Sequence, residues 1–397
     1  MSLIGTWMQR TAVSWVVYTI THSTFMLGLT VFASYFPSFL FSLLGGIAAD
    51  RYDRFKILLI TQVASMIQAI LMAVLILTKH YEVWEILALS VVLAVINAFD
   101  VPARQPLVHE LITDKEQLSN ALALNSTMNN LAQLIGPALS GIVLQKYGAA
   151  VCFTINALSF VAVVTSLLMM NLPAYKPRTG KKKIVSELVE GFVYIKKNTV
   201  IGISTLMLAL VCLLVLPYNT LLPVFAEVIF KGDAATFGYI NSFIGLGAIA
   251  GAFFLASLRA GTDLKYVLLI STVMLGACLM LFSHTAYFPL AMIFAVLCGF
   301  GTMAQTTIGN TIIQLHLDAH MRGRVMSIVV MAITGTMPLG SLIIGALSQK
   351  IGAPNALLAQ GMMGLIIAAI FSGFLRSDRL SKREAEKLRD GEDTVIV

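Results

Sequence analysis

The chain has 397 residues, of which 58% are hydrophobic and only 12% charged, and its formal net charge is +7. Soluble domains carry about 25% charged residues, so this composition excludes an ordinary water-soluble enzyme and points to lipid. Twelve stretches reach the roughly 20 apolar residues that a spanning helix needs: 3–20, 25–47, 57–77, 85–107, 118–144, 150–171, 199–225, 237–258, 266–283, 288–315, 325–347 and 355–376. The expected fold is an all-α membrane protein with twelve transmembrane helices. Its units are a six-helix bundle over 1–171, a linker over 172–198, a second six-helix bundle over 199–376 and a cytoplasmic tail over 377–397.

In chain order, the first span carries Gln9, Arg10, Ser14 and Tyr18. It begins almost at Met1, which raises the expectation of a clipped first helix, and it lacks the basic leader and cleavage site of a signal peptide. Arg10, Ser14 and Tyr18 recur every four residues and share one helix face. A charge at the bilayer centre costs about 2.5–3.5 kcal/mol, so Arg10 is a functional candidate by default. After the second span the chain reads Gly46-Ile-Ala-Ala-Asp50-Arg51-Tyr-Asp53-Arg54-Phe-Lys56. Gly46 is expected to admit a close helix neighbour, and Asp50 to face the positive N-terminus of another helix. The fourth span ends in Asp100-Val-Pro102-Ala-Arg104. At ~1.5 Å per residue, Arg10 lies roughly 15 Å and Asp100 roughly 22 Å from the outer ends of their helices. An arginine side chain can bridge that gap, so one expectation is an Arg10–Asp100 pair that protonation of Asp100 breaks. The other is that Asp100 braces the Pro102 break.

The fifth span holds Gly136, Pro137 and Gly141, preceded by a stripe of Asn125, Asn129 and Gln133. The linker contains Pro173, Pro177 and Lys181 to Lys183, then Ile184, Leu188, Phe192 and Ile195 at helical spacing, which predicts an amphipathic helix on the membrane surface. Asn219 lies in the seventh span, and Glu227 near its outer end reads as an interfacial carboxylate or a lure for cations. Thr306, Asn310 and Gln314 form a third polar stripe, in the tenth span. Together with Gln9, these stripes and Asn219 are candidate cavity residues, hydrogen bonding between helices being the other use of each. His22, His80, His284 and His316 sit singly at loop edges and carry no ligand assignment. Cys152, Cys212, Cys278 and Cys298 lie in apolar spans without paired spacing, so neither a disulfide nor a metal site is expected.

Cations flanking spans are retained on the cytoplasmic side. With both termini inside, 22 Lys and Arg fall in cytoplasmic segments, against four in outer loops: Lys79, Lys146, Lys231 and Lys350. The basic balance is therefore an orientation signal and calls for no nucleic acid. The chain also looks duplicated. Residues 134–149 and 338–353 match at a constant offset of 204, with six identities in sixteen: Gly136/Gly340, Gly141/Gly345, Gln145/Gln349, Lys146/Lys350, Gly148/Gly352 and Ala149/Ala353.

The loop from Gly46 to Lys56 resembles the signature loop of the major facilitator superfamily. The resemblance implies two parallel six-helix bundles with substrate between them near the midplane. It also implies that Gly46, Asp50, Arg51, Arg54 and Lys56, with Arg322 and Arg324, form a cytoplasmic latch made and broken during alternating access. Asp100 to Gln105, Gly136 to Gly141, Arg322-Gly323-Arg324 and Gly5-Thr-Trp7-Met-Gln9 are similar to the drug:proton antiporter branch, which includes enterobactin-type siderophore exporters and macrolide efflux proteins. Ser140 stands where that branch has the second glycine of its helix-five pair, and Val91 to Asn97 lacks the arginine of its fourth helix. The implied function is export of a drug-like compound or siderophore from the bacterial inner membrane. Protons are the implied coupling ion, with Asp100, Arg10 and Arg104 as candidates; the chain is expected to be monomeric and to need no cofactor. A lysophospholipid flippase, an uptake permease, or a receptor without transport are the alternatives. No nucleophile–base pair, metal cluster or nucleotide-cradling loop supports an enzyme, so work must come from a gradient, about 2.3 kcal/mol per charge per 100 mV.

Overall fold

The computed structural model describes residues 2–111, 115–170, 184–259, 261–318 and 320–393. Among them every regular element is helical: α1 (Ser2–Thr21), α2 (Thr24–Arg51), α3 (Arg54–Thr78), α4 (Val83–Leu111), α5 (Lys115–Tyr147), α6 (Ala149–Leu168), α7 (Ile184–Lys197), α8 (Thr199–Ile229), α9 (Ala234–Ala256), α10 (Leu264–Ser283), α11 (Phe288–Leu315), α12 (Arg322–Ile351) and α13 (Ala353–Asp393). Ten of these are long and apolar enough to cross a membrane. Besides the short α7, only α1 and α5 fall short of that measure, and they are helices to which the sequence assigns polar stripes. The last helix runs to Asp393, beyond the expected end at 376. Pro173, Pro177 and Lys181 to Lys183 lie outside the described residues.

Local signals set the helix ends. The side chains of Ser23, Asp53, Asn198, Asp233 and Asp263 accept backbone N–H groups and so cap α2, α3, α8, α9 and α10, each relieving an orphan donor of the first turn. Gly148 and Gly352 open α6 and α13 at φ 84° and 85°, a left-handed geometry that a Cβ would strain. That geometry explains one identity of the internal match.

The helices are sorted inside out. On α3, Ile60, Ile67, Leu71 and Val74 are exposed on one face while Gln62, Ser65 and Gln68 are buried on another. Such an arrangement suits a lipid surround, where apolar side chains face outward and polar groups satisfy one another within. They do so in one chain of bonds: Gln9 Nε2 donates to Gln68 Oε1 at 3.0 Å, Asn156 Nδ2 donates to Gln9 Oε1 at 2.6 Å, and Gln68 Nε2 donates to the Leu89 carbonyl at 3.1 Å. The network ties α1, α3, α4 and α6 together.

Helix packing repeats with the sequence. In the first part of the chain α2 packs on α4, α3 on α4 and α6, and α1 on α5 and α6. In the second, α9 packs on α11, α10 on α11 and α13, and α8 on α12 and α13. Each contact recurs seven elements later. Two further pairings join the copies, α2 with α12 and α5 with α9, and they exchange under the same correspondence. Close approach within each copy depends on glycine: a Cβ on Gly45 would collide with the Ala98 carbonyl of α4, and one on Gly247 with the Val296 carbonyl of α11. The neighbouring Gly46 has nothing within 4 Å. The close neighbour expected there is met by Gly45 instead, because consecutive helical residues point about 100° apart.

Candidate functional site: a cavity between two copies

The two copies close on each other at the end opposite the basic loops, and the duplicated residues do the closing. A Cβ on Gly141 of α5 would lie 2.8 Å from both the Ala234 carbonyl oxygen and the Gly238 Cα of α9. Its counterpart Gly345 of α12 stands 2.6 Å, by the same measure, from the Thr24 carbonyl oxygen and 3.0 Å from the Gly28 Cα of α2. Gly136 and Gly340 turn the other way, onto the first helix of their own copy, against Trp7 and Ile4 of α1 and against Leu213 and Pro217 of α8. Beyond them, Gln145 Nε2 donates to the carboxylate of Asp233, the N-cap of α9. Gln349 Oε1 accepts from Ser23 Oγ at 3.0 Å and from the Thr24 amide at 3.1 Å, at the N-cap of α2. A glutamine that reaches a helix N-cap in the other copy thus occurs twice. At the same end, His22 Nδ1 lies 3.6 Å from Glu227 Oε1, and Trp15 stacks on Phe237 with centroids 5.8 Å apart. Glu227 is therefore a partner of His22 across the copies. Ser140, in the position of the expected second glycine, is fully buried, and its hydroxyl donates to the Met8 carbonyl at 3.0 Å.

Behind this closure lies a cavity of about 240 Å³. Its walls come from α1, α2, α4 and α5 on one side and α8, α9, α11 and α12 on the other. Of the expected cavity residues, Gln9, Arg10, Ser14, Gln133 and Asn219 line it, together with Pro137. Tyr18 does not: it is 3% exposed, packed in the apolar core and edge-on to His22. Asn125, Asn129, Thr306, Asn310 and Gln314 also lie off the wall. Asn129 Nδ2 donates to the Asn125 carbonyl, Thr306 Oγ1 to the Thr302 carbonyl, Asn310 Nδ2 to the Thr306 carbonyl, and Gln314 Oε1 accepts from Arg322. A four-residue step keeps a helix face but climbs about 6 Å, so members of one stripe lie at different heights, and of the three stripes only Arg10, Ser14 and Gln133 reach the cavity.

The wall residues that sequence reading passed over include Thr30, Ser34 and Tyr35 of α2, Asn97 of α4, Asn241 of α9 and Thr302 of α11. Asn97 and Asn241 are isolated amides in apolar spans, and Thr30 and Ser34 stand four apart, so the signal was present. Ordinary helix polarity hides it, because Ser34 Oγ donates to the Thr30 carbonyl and Asn241 Nδ2 to the Phe237 carbonyl.

Arg10 and Asp100 do not meet. The Arg10 guanidinium lies over two rings, 5.1 Å from the centroid of Trp7 and 5.0 Å from that of Tyr35. Cation–π contacts return about 0.5–2 kcal/mol each, which helps to hold the half-buried charge on the cavity wall. Asp100 is 5% exposed and fully engaged elsewhere. Its Oδ1 accepts from Thr61 Oγ1 at 2.9 Å and Gln62 Nε2 at 2.6 Å, and its Oδ2 from Arg104 Nε at 3.0 Å, with Arg104 Nη2 at 2.8 Å. Arg104, one turn away on the same helix, reaches Asp100 at far lower conformational cost than Arg10 does from another helix. The pairing expected between α1 and α4 is thereby replaced.

At the basic end, Arg54 Nη2 lies 3.5 Å from Asp50 Oδ1, and Arg54 Nε donates to the Ala49 carbonyl at 3.0 Å. Arg51 and Lys56 are exposed. Arg322 Nη2 donates to Gln314 Oε1 at 3.0 Å, and Arg324 pairs with Glu190 of α7. Tyr194 of α7 donates to Asp318 Oδ2 at 2.9 Å, and this hydrogen bond holds the phenol above its ordinary pKa. The predicted amphipathic helix is thus clamped to the start of α12. Ile195 enters the core with Ile201 and Val325, whereas Phe192 faces outward at 63% exposure.

A family model described as a transmembrane secretion effector matches residues 1–391. The staphyloferrin A transporter of Staphylococcus aureus is 24% identical over 387 residues, 96% of each chain. Macrolide efflux protein A of Streptococcus pyogenes is 22% identical over 93% of this chain and 92% of its own. The enterobactin exporter of Escherichia coli is 24% identical over 93% of this chain and 88% of its own. Among solved structures, a bacterial homolog of the human lysosomal transporter Spinster, in an inward-facing and unoccupied conformation, superposes with a TM-score of 0.72 at 16% identity, over 93% of this chain and 94% of that one. The fold, the cavity between its two copies and the whole-length family match lead to one conclusion: the chain belongs to the transmembrane secretion effector family of major facilitator transporters.

Proposed function

We propose that this protein exports a small organic molecule from the cytoplasm by alternating access, with twelve spanning helices in two six-helix bundles, as a monomer, and in exchange for protons. The observation that carries the proposal is the cavity closed at one end by duplicated clasps. The excess of cations on the other end favours placing that end, and both termini, in the cytoplasm. On this reading the clasped end faces outward, and the conformation is the one that receives cytoplasmic cargo. The names of the relatives, a staphyloferrin A transporter, a macrolide efflux protein and an enterobactin exporter, support export and a cargo of drug or siderophore type. Polar wall residues such as Gln133, Asn97 and Asn219 suit a water-soluble compound better than a lipid tail.

The outward-open state requires the clasps to part and the basic ends to meet. Gly46, with open space beside it, and Asp50, Arg51, Arg54 and Lys56 are the first copy's share of that second closure, and Arg322 and Arg324 the other's. Asp100 is the proposed proton carrier, because it is a carboxylate buried between α3 and α4, where Thr61, Gln62 and Arg104 hold it. Protonation would release Arg104 and loosen α4 from α3. The test is an untargeted comparison of intracellular and extracellular small molecules in a deletion strain, its complemented parent and an Asp50→Asn strain. A compound exported by the parent and retained by the other two supports export through the latch. No difference between parent and deletion would sink it.

A further inference from the structure

We infer that the cavity selects organic anions, holding an acidic group of the cargo on Arg10 and the cargo's hydroxyl or carbonyl oxygens on Tyr218 and Thr302. The inference rests on the transporter reading and names its class of cargo.

Among the described residues Arg10 is the only side chain with a permanent charge on the cavity wall, and no Asp or Glu lies there. Its two ring contacts hold the guanidinium without supplying a carboxylate. The N–H groups radiate from its edges, in the plane where a carboxylate is bound through two parallel hydrogen bonds. Among the described residues no carboxylate lies within ion-pair distance of Arg10, and Asp100 is occupied by Thr61, Gln62 and Arg104. Among the described residues the positive charge of Arg10 is thus held in place but not neutralised.

The facing wall supplies the second observation. There α8 leaves α-helical geometry, passing through a 3₁₀ segment at Leu216–Leu221 and a π turn at Phe225–Ile229, and in transporters such breaks lie at binding sites. Tyr218 is 2% exposed overall, and its hydroxyl lies against the side chains of Thr302 and Asn219 on the wall of the same cavity. Neither hydroxyl makes a hydrogen bond of full geometry there, and a hydroxyl can rotate to meet an oxygen of the cargo. A cation across from neutral hydroxyls fits a molecule with an acidic end and an oxygen-bearing body. Cationic amphiphiles are repelled. Export of such an anion also runs down the inside-negative membrane potential, so exchange for one proton would move two charges inward per turnover.

The test uses three probes of nearly one shape and of charge −1, 0 and +1: 2-naphthoate, 2-naphthamide and 2-naphthamidine. Binding of each tritiated probe is measured on the full-length protein in nanodiscs. The expected result is a preference for the carboxylate over the amidine of about tenfold or more, weakened by salt. Arg10→Gln abolishes that preference and Arg10→Lys keeps part of it, while 6-hydroxy-2-naphthoate, which adds an oxygen to the body, binds more tightly than 2-naphthoate and Tyr218→Phe removes that gain. Equal binding of the probes, or a carboxylate preference that survives Arg10→Gln, would overturn the inference. Binding does not require turnover, so anion selectivity without export would instead count against the exporter reading, and export restricted to cationic compounds against this one.

Discussion

Asp100 has no spare acceptor: one oxygen takes hydrogens from Thr61 and Gln62, the other from Arg104. Replacing it by Asn keeps the volume but removes the charge that holds Arg104. Asp100→Asn is therefore predicted to uncouple transport from the proton gradient, read as cargo flux in everted vesicles with and without an imposed pH difference; an unchanged dependence removes Asp100 from the coupling role. The clasp glutamines act at the same scale. Each supplies a polar contact between helices of the kind worth about 0.6 kcal/mol in a membrane. Gln145→Leu with Gln349→Leu should thus shift the clasped end by roughly 1 kcal/mol toward opening. Spin labels at positions 146 and 231 would report it as a longer, broader distance distribution, and an unaltered distribution would show that the glycine contacts alone close this end.

Among the elements, glycines of α5 and α12 on one side and of α2 on the other separate two kinds of defect. Gly141→Leu or Gly345→Leu forces a side chain into backbone 2.6–2.8 Å from the new Cβ, which overpacking data put at about 1–3 kcal/mol. A lower thermal midpoint and a leaking outer gate are expected. Gly46→Leu meets open space in this conformation. It should leave the midpoint near that of the parent and yet abolish transport by wedging the latch, and full transport by Gly46→Leu would take this glycine out of the latch. The linker helix illustrates what periodicity conveys at this scale. The spacing of Ile184, Leu188, Phe192 and Ile195 identified a helix, but the clamp of Glu190 on Arg324 and Tyr194 on Asp318 joins residues more than 120 apart, a distance that no periodicity spans.

For the whole molecule the decisive quantity is the two-fold likeness of its copies. A short match of six identities in sixteen proved to be a set of contacts repeated in kind: a glycine to the home copy, a glycine across, a glutamine to a distant N-cap and a left-handed glycine turn. Topology is testable with single cysteines: Lys350→Cys should react with an impermeant maleimide on intact cells, and Arg51→Cys only after permeabilisation. The reverse pattern would invert the protein and turn the proposed exporter into an importer.

Composition and hydropathy determined that this is a helical membrane protein, because apolar length and charge sidedness are local properties that lipid reads directly. The motifs determined the family for a similar reason: glycines and charges at fixed spacing report backbone approach and turn geometry. Tertiary structure decided the partners. Arg10 went to Trp7 and Tyr35 and Asp100 to Arg104, since a side chain pairs with whatever the packing brings within a few ångströms. It also decided which polar stripe residues reach the cavity. Helical spacing specifies a face, whereas only the packed helices specify the depth at which a binding site lies.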